Sequence, residues 1–289
     1  MKVEIEKGAG FCFGVRKVIQ TAEKILDGGE KLYCLGEIVH NEEEIRRLVK
    51  KGMIFINDEE LLKLNDVTVL IRAHGEPPET YKICKERNIS VIDGTCPIVS
   101  ALQKKISESY KNSASNDQIV IYGKTVHPEI KGLNGQINNE AIIIRKPEDI
   151  QKISSDKNVI LYSQTTMDSD GFNEMKNKIK ENAKDNPEVN LKFNNTICSY
   201  ISHRQPGIVE FARSNEILIF VAGNNSSNGK VLFEICKKEN NNSKFISEVG
   251  QLKKEWFHSV SAVGITGATS TPGWLLESVK EKIQSFNTS

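Results

Sequence analysis

Short apolar runs alternate with amphipathic stretches along this whole chain, a rhythm that restricts it to an α/β protein with mostly parallel sheets. The runs at 67–71, 118–122, 158–162 and 216–221 are too apolar to face water on one side, so they read as strands covered on both faces. Val15, Val18, Ile19, Ala22, Ile25 and Leu26 recur at helical spacing, and Gly28-Gly29 supplies a stop. Helices are expected over 97–110, 171–183, 229–238 and 272–286. Pro97 and Pro272 suit first turns, where no amide donor is lost. Polar residues therefore gather where strands end and helices begin, and in open α/β sheets ligands bind at the carboxyl ends of strands.

With 289 residues, the chain has room for two or three compact units. Three α/β units are expected: 1–95 carrying Cys12, 96–193 carrying Cys96 and Glu129, and 194–289 carrying Cys198 and a Ser-Ser-Asn loop. A net charge of +1, from 39 basic and 38 acidic residues, gives no electrostatic reason to expect nucleic acid. Any bound anion must be met by a local site. No apolar run approaches the ~18 residues of a membrane span. The start Met1-Lys2-Val3-Glu4-Ile5-Glu6 has no apolar signal core, so a reducing, cytoplasmic setting is expected.

Cysteine usage sharpens the reading. Cys12, Cys96 and Cys198 each sit in a tight junction, in the strings Gly10-Phe11-Cys12-Phe13-Gly14, Gly94-Thr95-Cys96-Pro97 and Thr196-Ile197-Cys198-Ser199. Three thiolates from three units suggest one shared metal centre, and an iron-sulfur cluster held by three cysteines has one iron open to a substrate. Zinc with three Cys and one His is a rival, although such sites usually carry short Cys-x2-4-Cys pairs, which this chain lacks. Disulfides are the other rival, disfavoured by a reducing setting. Cys34, Cys84 and Cys236 lie in apolar patterns and read as small buried fillers.

Of the five histidines, His40, His74 and His127 stand at strand ends or loop starts; each alone reads as a hydrogen-bonded structural residue before a site residue, and it is their shared position that suits an anionic ligand. Glu129, two residues after His127, is a candidate proton donor or an ordinary first-turn glutamate. The string from Gly223 through Ser226, Ser227 and Asn228 to Lys230 is the best phosphate cradle in the chain. It is not a Walker loop: its Gly-to-Gly spacing is one residue too long and Val231 replaces the required Ser or Thr. A second polar turn from Gly264 to Pro272, containing Ser270, is placed to close the same anion site. Thr165 ends another apolar strand, as a substrate contact or a helix cap.

These strings resemble the 4-hydroxy-3-methylbut-2-enyl diphosphate reductase family, in order and over essentially the whole chain, from Gly10-Phe11-Cys12 to Ser270-Thr271-Pro272-Gly273-Trp274. Between them come Val39-His40-Asn41, Ala73-His74-Gly75, Thr95-Cys96-Pro97, His127-Pro128-Glu129, Gln164-Thr165-Thr166, Cys198 with Arg204-Gln205, and Ser226-Ser227-Asn228. The resemblance implies three similar α/β units in pseudo-threefold arrangement around a central 4Fe-4S cluster, with Cys12, Cys96 and Cys198 at the positions of its protein ligands. His40, His74, His127, Ser226, Ser227, Asn228 and Ser270 match positions that hold the diphosphate, Glu129 matches the proton donor, and Thr165 matches a residue near the substrate hydroxyl.

The implied reaction is reductive removal of an allylic hydroxyl by two electrons and protons, giving isopentenyl and dimethylallyl diphosphate, with an electron donor such as ferredoxin or flavodoxin. Lys124 or a neighbour stands where the family often has a further His, and His203 where it often has Asn. Its last motif commonly reads Ala-Gly-Ala-Ser-Thr-Pro-Asp, against Gly267 to Gly273 here, with Ser270 still at the matching position. A hydro-lyase using a similar cluster is the nearest enzymatic alternative, separable because it turns over without reductant. An iron-sulfur sensor is the non-catalytic alternative, which has no use for a diphosphate pocket.

Overall fold

The structure, a computed structural model, describes residues 1–286 apart from the side chains of 201–203; the His203 side chain is thus outside the described residues. In chain order the elements are β1 (Lys2–Ile5), α1 (Phe13–Asp27), β2 (Leu32–Leu35), α2 (Glu42–Lys50), β3 (Met53–Ile56), α3 (Asp58–Leu61), β4 (Thr68–Ile71), α4 (Pro78–Glu86) and β5 (Ser90–Asp93). Next come α5 (Pro97–Lys111), β6 (Asp117–Tyr122), α6 (Pro128–Asn134), β7 (Ile142–Ile144), β8 (Asn158–Ser163), α7 (Ser169–Asn182) and β9 (Leu191–Phe193). The last are α8 (Ser199–Arg213), β10 (Ile217–Val221), α9 (Ser227–Glu239), β11 (Ser243–Ile246), β12 (Ala262–Gly267) and α10 (Gly273–Ser285). The strands form three four-stranded sheets whose pairings are parallel, the α/β class expected. Among the described residues no helix is long and apolar enough to cross a membrane.

The chain divides into two compact units, residues 1–58 with 200–289, and residues 59–199. In the first, one sheet has the order β1-β12-β10-β11. Every residue of β10 is buried because the sheet is covered on both faces. Ile217, Ile219 and Val221 pack with Leu275, Leu276, Val279 and Ile283 of α10. The alternate residues Leu218 and Phe220 pack with Ile208 and Ala212 of α8 and Leu232 and Cys236 of α9. A strand with two buried faces shows no polar alternation, and this explains its appearance in the sequence. Strand β1, which lies in the segment 1–95, is hydrogen-bonded to β12, so this sheet joins the two ends of the chain.

In the second unit, the sheet has the order β7-β6-β8-β9 and repeats that logic. Val120 and Tyr122 of β6 meet Phe172, Met175 and Ile179 of α7, whereas Ile119 and Ile121 meet Leu102 and Ile106 of α5 and Ile130 and Leu133 of α6. The pair β4–β5 belongs to this unit and the pair β2–β3 to the first, each parallel and in register over four residues. Cys34, Cys84 and Cys236 are buried core residues, as expected.

Candidate active site

Each of the three candidate ligand cysteines follows an edge strand, β1, β5 or β9. Each donates its backbone N–H to a carbonyl in the loop after the neighbouring strand. Cys12 N–H bonds Thr269 O after β12 (3.2 Å), Cys96 N–H bonds Ala73 O after β4 (3.0 Å), and Cys198 N–H bonds Thr165 O after β8 (2.9 Å). A helix then begins at once, with Cys12 and Cys96 as the N-cap residues of α1 and α5, and Ser199 opening α8. Pro97 fits the first position of α5, where a missing N–H costs nothing. None of the three is in a disulfide among the described residues, and each is half-buried. The same local construction thus occurs three times, and each time it sets a thiol at a helix N-terminus, where a negative ligand is favoured.

In the unit 59–199, the loops after β4, β6 and β8 carry the remaining candidates. His127 N-caps α6, its Nδ1 accepting the Glu129 N–H at 3.2 Å. Its ring stands edge-on to that of His74, with centroids 5.2 Å apart. Glu129 is only 1% exposed. Its Oε1 accepts the Thr165 N–H and its Oε2 accepts the Thr165 hydroxyl, both at 2.7 Å. Burial pushes the Glu129 carboxyl up to about 7, against the opposing pull of the two Thr165 hydrogen bonds. Near neutrality it therefore holds a proton part of the time, as a general acid must.

Thr165 is consequently a junction: its side chain and N–H touch the acid, and its carbonyl holds Cys198. Gln164, wholly buried, accepts the Lys124 N–H at 3.0 Å and donates to Thr166 Oγ1 at 2.7 Å, which fixes the loop after β8 against the loop after β6. Gln164 was visible in the sequence only as part of a motif, with no role attached to it.

In the unit formed by 1–58 and 200–289, the loops after β10 and β12 come together. Ser226 N-caps α9, its Oγ accepting the Gly229 N–H at 3.0 Å and lying 3.1 Å from Ser270 Oγ. Asn228 Nδ2 donates to Thr269 Oγ1 at 2.8 Å. Ser226, Ser227, Asn228 and Ser270 are all buried. Gly223 packs against the backbone of His40 and Asn41 so closely that any Cβ there would collide with the His40 carbonyl, bringing His40 to the same loop. Asn41 N-caps α2 through Glu44 N–H, as its place before three glutamates suggested. Hydroxyls, an amide, a histidine and a helix N-terminus suit an oxyanion without a broad cationic surface.

Sequence reasoning missed two supports in this unit. Arg204 donates to Glu6 (2.5 Å) and to Thr266 (2.9 Å), a buried charge pair tying α8 to the ends of β1 and β12. Glu44, fully buried, accepts from Arg47 and from Trp274 Nε1 (2.7 Å), joining α2 to the start of α10. For the first, the available signal was the place of Arg204 in the motif that follows Cys198; for the second there was none.

Comparison with known proteins gives the family. The family described as LytB protein matches residues 3–284. A 4-hydroxy-3-methylbut-2-enyl diphosphate reductase of Bacteroides fragilis is 47% identical over 285 residues, covering 98% of each chain. That of Parabacteroides distasonis is 47% identical over 290 residues, covering 100% of this chain and 99% of its own. Among solved structures, one of (E)-4-hydroxy-3-methyl-but-2-enyl diphosphate reductase, the terminal enzyme of the non-mevalonate pathway, aligns with a TM-score of 0.74 at 34% identity over 98% of this chain and 99% of its own. A reductase structure from Plasmodium falciparum aligns with a TM-score of 0.82 at 26% identity over 95% of this chain and 85% of its own. With its family match spanning nearly all of its length and its relatives this similar, the chain belongs to the LytB protein family.

Proposed function

We propose that this chain is a 4-hydroxy-3-methylbut-2-enyl diphosphate reductase, which takes up two electrons and two protons, breaks the allylic C–O bond and releases water with isopentenyl or dimethylallyl diphosphate. Membership in the LytB family and relatives of that activity support the reading. The observation that carries it is the Thr165 junction, which sets a buried, partly protonated carboxyl one residue's width from a candidate cluster ligand.

Cys12, Cys96 and Cys198 would hold a 4Fe-4S cluster. Half-buried cysteines in three locally equivalent positions, outside any disulfide among the described residues, are the donor set such a cluster takes. When bound, the cluster supplies the electrons and a Lewis-acidic iron for the departing hydroxyl. Ferredoxin or flavodoxin is the kind of donor that would reload it, in the cytoplasm.

The protein's own groups handle charge and protons. By their match to the family's positions, His40, His74, His127, Ser226, Ser227, Asn228 and Ser270 are the residues for the diphosphate, and the α9 N-terminus supports the part given to the serine loop. Glu129 carries a proton at Oε2, the oxygen facing the Thr165 hydroxyl. That proton passes to Thr165 Oγ1 as the threonine hydrogen moves to the leaving oxygen, so the carboxylate left behind retains two hydrogen bonds. A thiol-rich zinc site would leave the buried acid without such a task.

Anaerobic purification with iron and sulfide analysis tests the proposal. About four irons and four sulfides per chain, lost with activity under oxygen, are expected for a 4Fe-4S cluster. Stoichiometric zinc, with full activity in the absence of iron, would sink it.

A further inference from the structure

The Asn228 side chain presents a chemical mismatch that identifies a further residue of the anion site. Its amide nitrogen is spent on Thr269 Oγ1 at 2.8 Å, while its carbonyl oxygen Oδ1 is buried and has no hydrogen-bond partner among the described residues. A bare carbonyl oxygen repels a phosphate oxygen, since both are acceptors. Leaving it buried and unsatisfied also costs free energy. A half-turn of the amide about its last bond resolves both problems. The Thr269 hydroxyl, which can donate as well as accept, then donates to Oδ1, and Nδ2 becomes a donor for an oxyanion.

Thr269 is well placed for this role. It is buried, adjacent to Ser270, whose Oγ lies 3.1 Å from Ser226 Oγ, and its own carbonyl is held by Cys12 N–H. Its backbone is therefore held by the bond that also holds Cys12, which keeps the residue beside Asn228.

We propose that Thr269 is a positioning residue for the diphosphate. Its hydroxyl donates to Asn228 Oδ1 in the liganded protein and so commits Nδ2 to a phosphate oxygen. This rests on the diphosphate reading of the Ser226 loop given above.

The test uses anaerobically prepared, cluster-loaded protein and inorganic pyrophosphate as the probe, measured by calorimetry, with KM and kcat for the full substrate alongside. Thr269→Val keeps the side-chain shape and removes the hydroxyl; Thr269→Ser keeps the hydroxyl. Val is expected to weaken pyrophosphate and raise KM by roughly three- to tenfold, the range of one hydrogen bond, with kcat nearly unchanged, and Ser to restore both. Wild-type affinity in the Val variant, or equal weakening in Val and Ser, overturns the assignment of the hydroxyl while leaving the diphosphate reading intact. Failure of the wild-type protein to bind pyrophosphate at all overturns the diphosphate reading itself, and the Thr269 assignment with it.

Discussion

The two compact units use the same local construction and furnish it with different chemistry. In both, a cysteine after an edge strand is tied by its N–H to the loop after the neighbouring strand. In the unit 1–58 with 200–289, that loop and its neighbour offer neutral groups: Ser226, Ser270, Thr269 and Asn228. In the unit 59–199, the equivalent loop closes over an ionisable one, Glu129, and supplies it with two hydrogen bonds from a single residue. Neutral donors at a helix N-terminus hold an anion across a wide pH range. A buried carboxyl changes state near neutrality. Under the proposed function, the difference fits one loop set to ligand retention and the other to proton delivery, on a local construction that carries either.

The largest effect should come from breaking what the units share. Cys12→Ser, Cys96→Ser and Cys198→Ser should each abolish cluster content and turnover together, whereas Ala or Val at Cys34, Cys84 or Cys236 should cost only modest stability. Iron loss in a well-folded variant of the second group would mean the wrong ligands have been chosen.

Glu129→Gln sharpens the contrast between the units. It should keep the cluster and bind substrate, yet lower turnover by roughly 10²–10⁴-fold, the usual weight of acid-base catalysis. Because the acid must be protonated, kcat/KM in excess reductant should fall as pH rises through about 7. In the Gln variant that limb should be absent. Near-normal turnover in the variant would remove Glu129 from the proton path.

The same carboxyl should leave a mark on stability. Its folded-state value lies above its ordinary one, so between about 4.5 and about 7 the folded chain holds the extra proton and stability falls as pH rises. Above about 7 the penalty is complete. Measured by denaturant titration side by side, Glu129→Gln should gain on the wild-type protein by up to about 3 kcal/mol between pH 4.5 and pH 8. A pH-independent difference would show that burial of the charge is relieved by some other route.

The smallest effect belongs to the neutral loop. Ser226→Ala removes one hydroxyl and should cost roughly 0.5–1.5 kcal/mol of binding, more if the lost partner is charged. The loss should appear with the diphosphate substrate and be nearly absent with the dephosphorylated alcohol. Equal weakening of both would make Ser226 a cap for α9 and nothing more.

Much of this was legible before any coordinates. The strands expected at 118–122, 158–162 and 216–221 are present as β6, β8 and β10, because strands buried on both faces leave unbroken apolar runs. The helices expected from 97 and 229 begin within two residues of those positions, at a proline and after a serine cap. What the sequence could not show is long-range pairing. Nothing in Lys2–Ile5 announces that its partner is a strand some 260 residues away, and the register Lys2 with Ala262 is set only by the assembled sheet. The Thr165 junction was hidden for a like reason: Glu129 and Thr165 are 36 residues apart, and only the adjacency of β6 and β8 brings their loops together. Thr269 lay in a stretch already marked as departing from the family pattern, but its hydroxyl acquires meaning only beside Asn228.

The most direct test of the central claim is a product assay on cluster-loaded protein, with 4-hydroxy-3-methylbut-2-enyl diphosphate and a low-potential reductant under strict anaerobiosis, analysed by mass spectrometry. The account predicts isopentenyl and dimethylallyl diphosphate, formed only when reductant is present and at a rate that collapses in Glu129→Gln. Conversion that proceeds equally well without reductant, or loaded and reduced protein that leaves the substrate untouched, would contradict it.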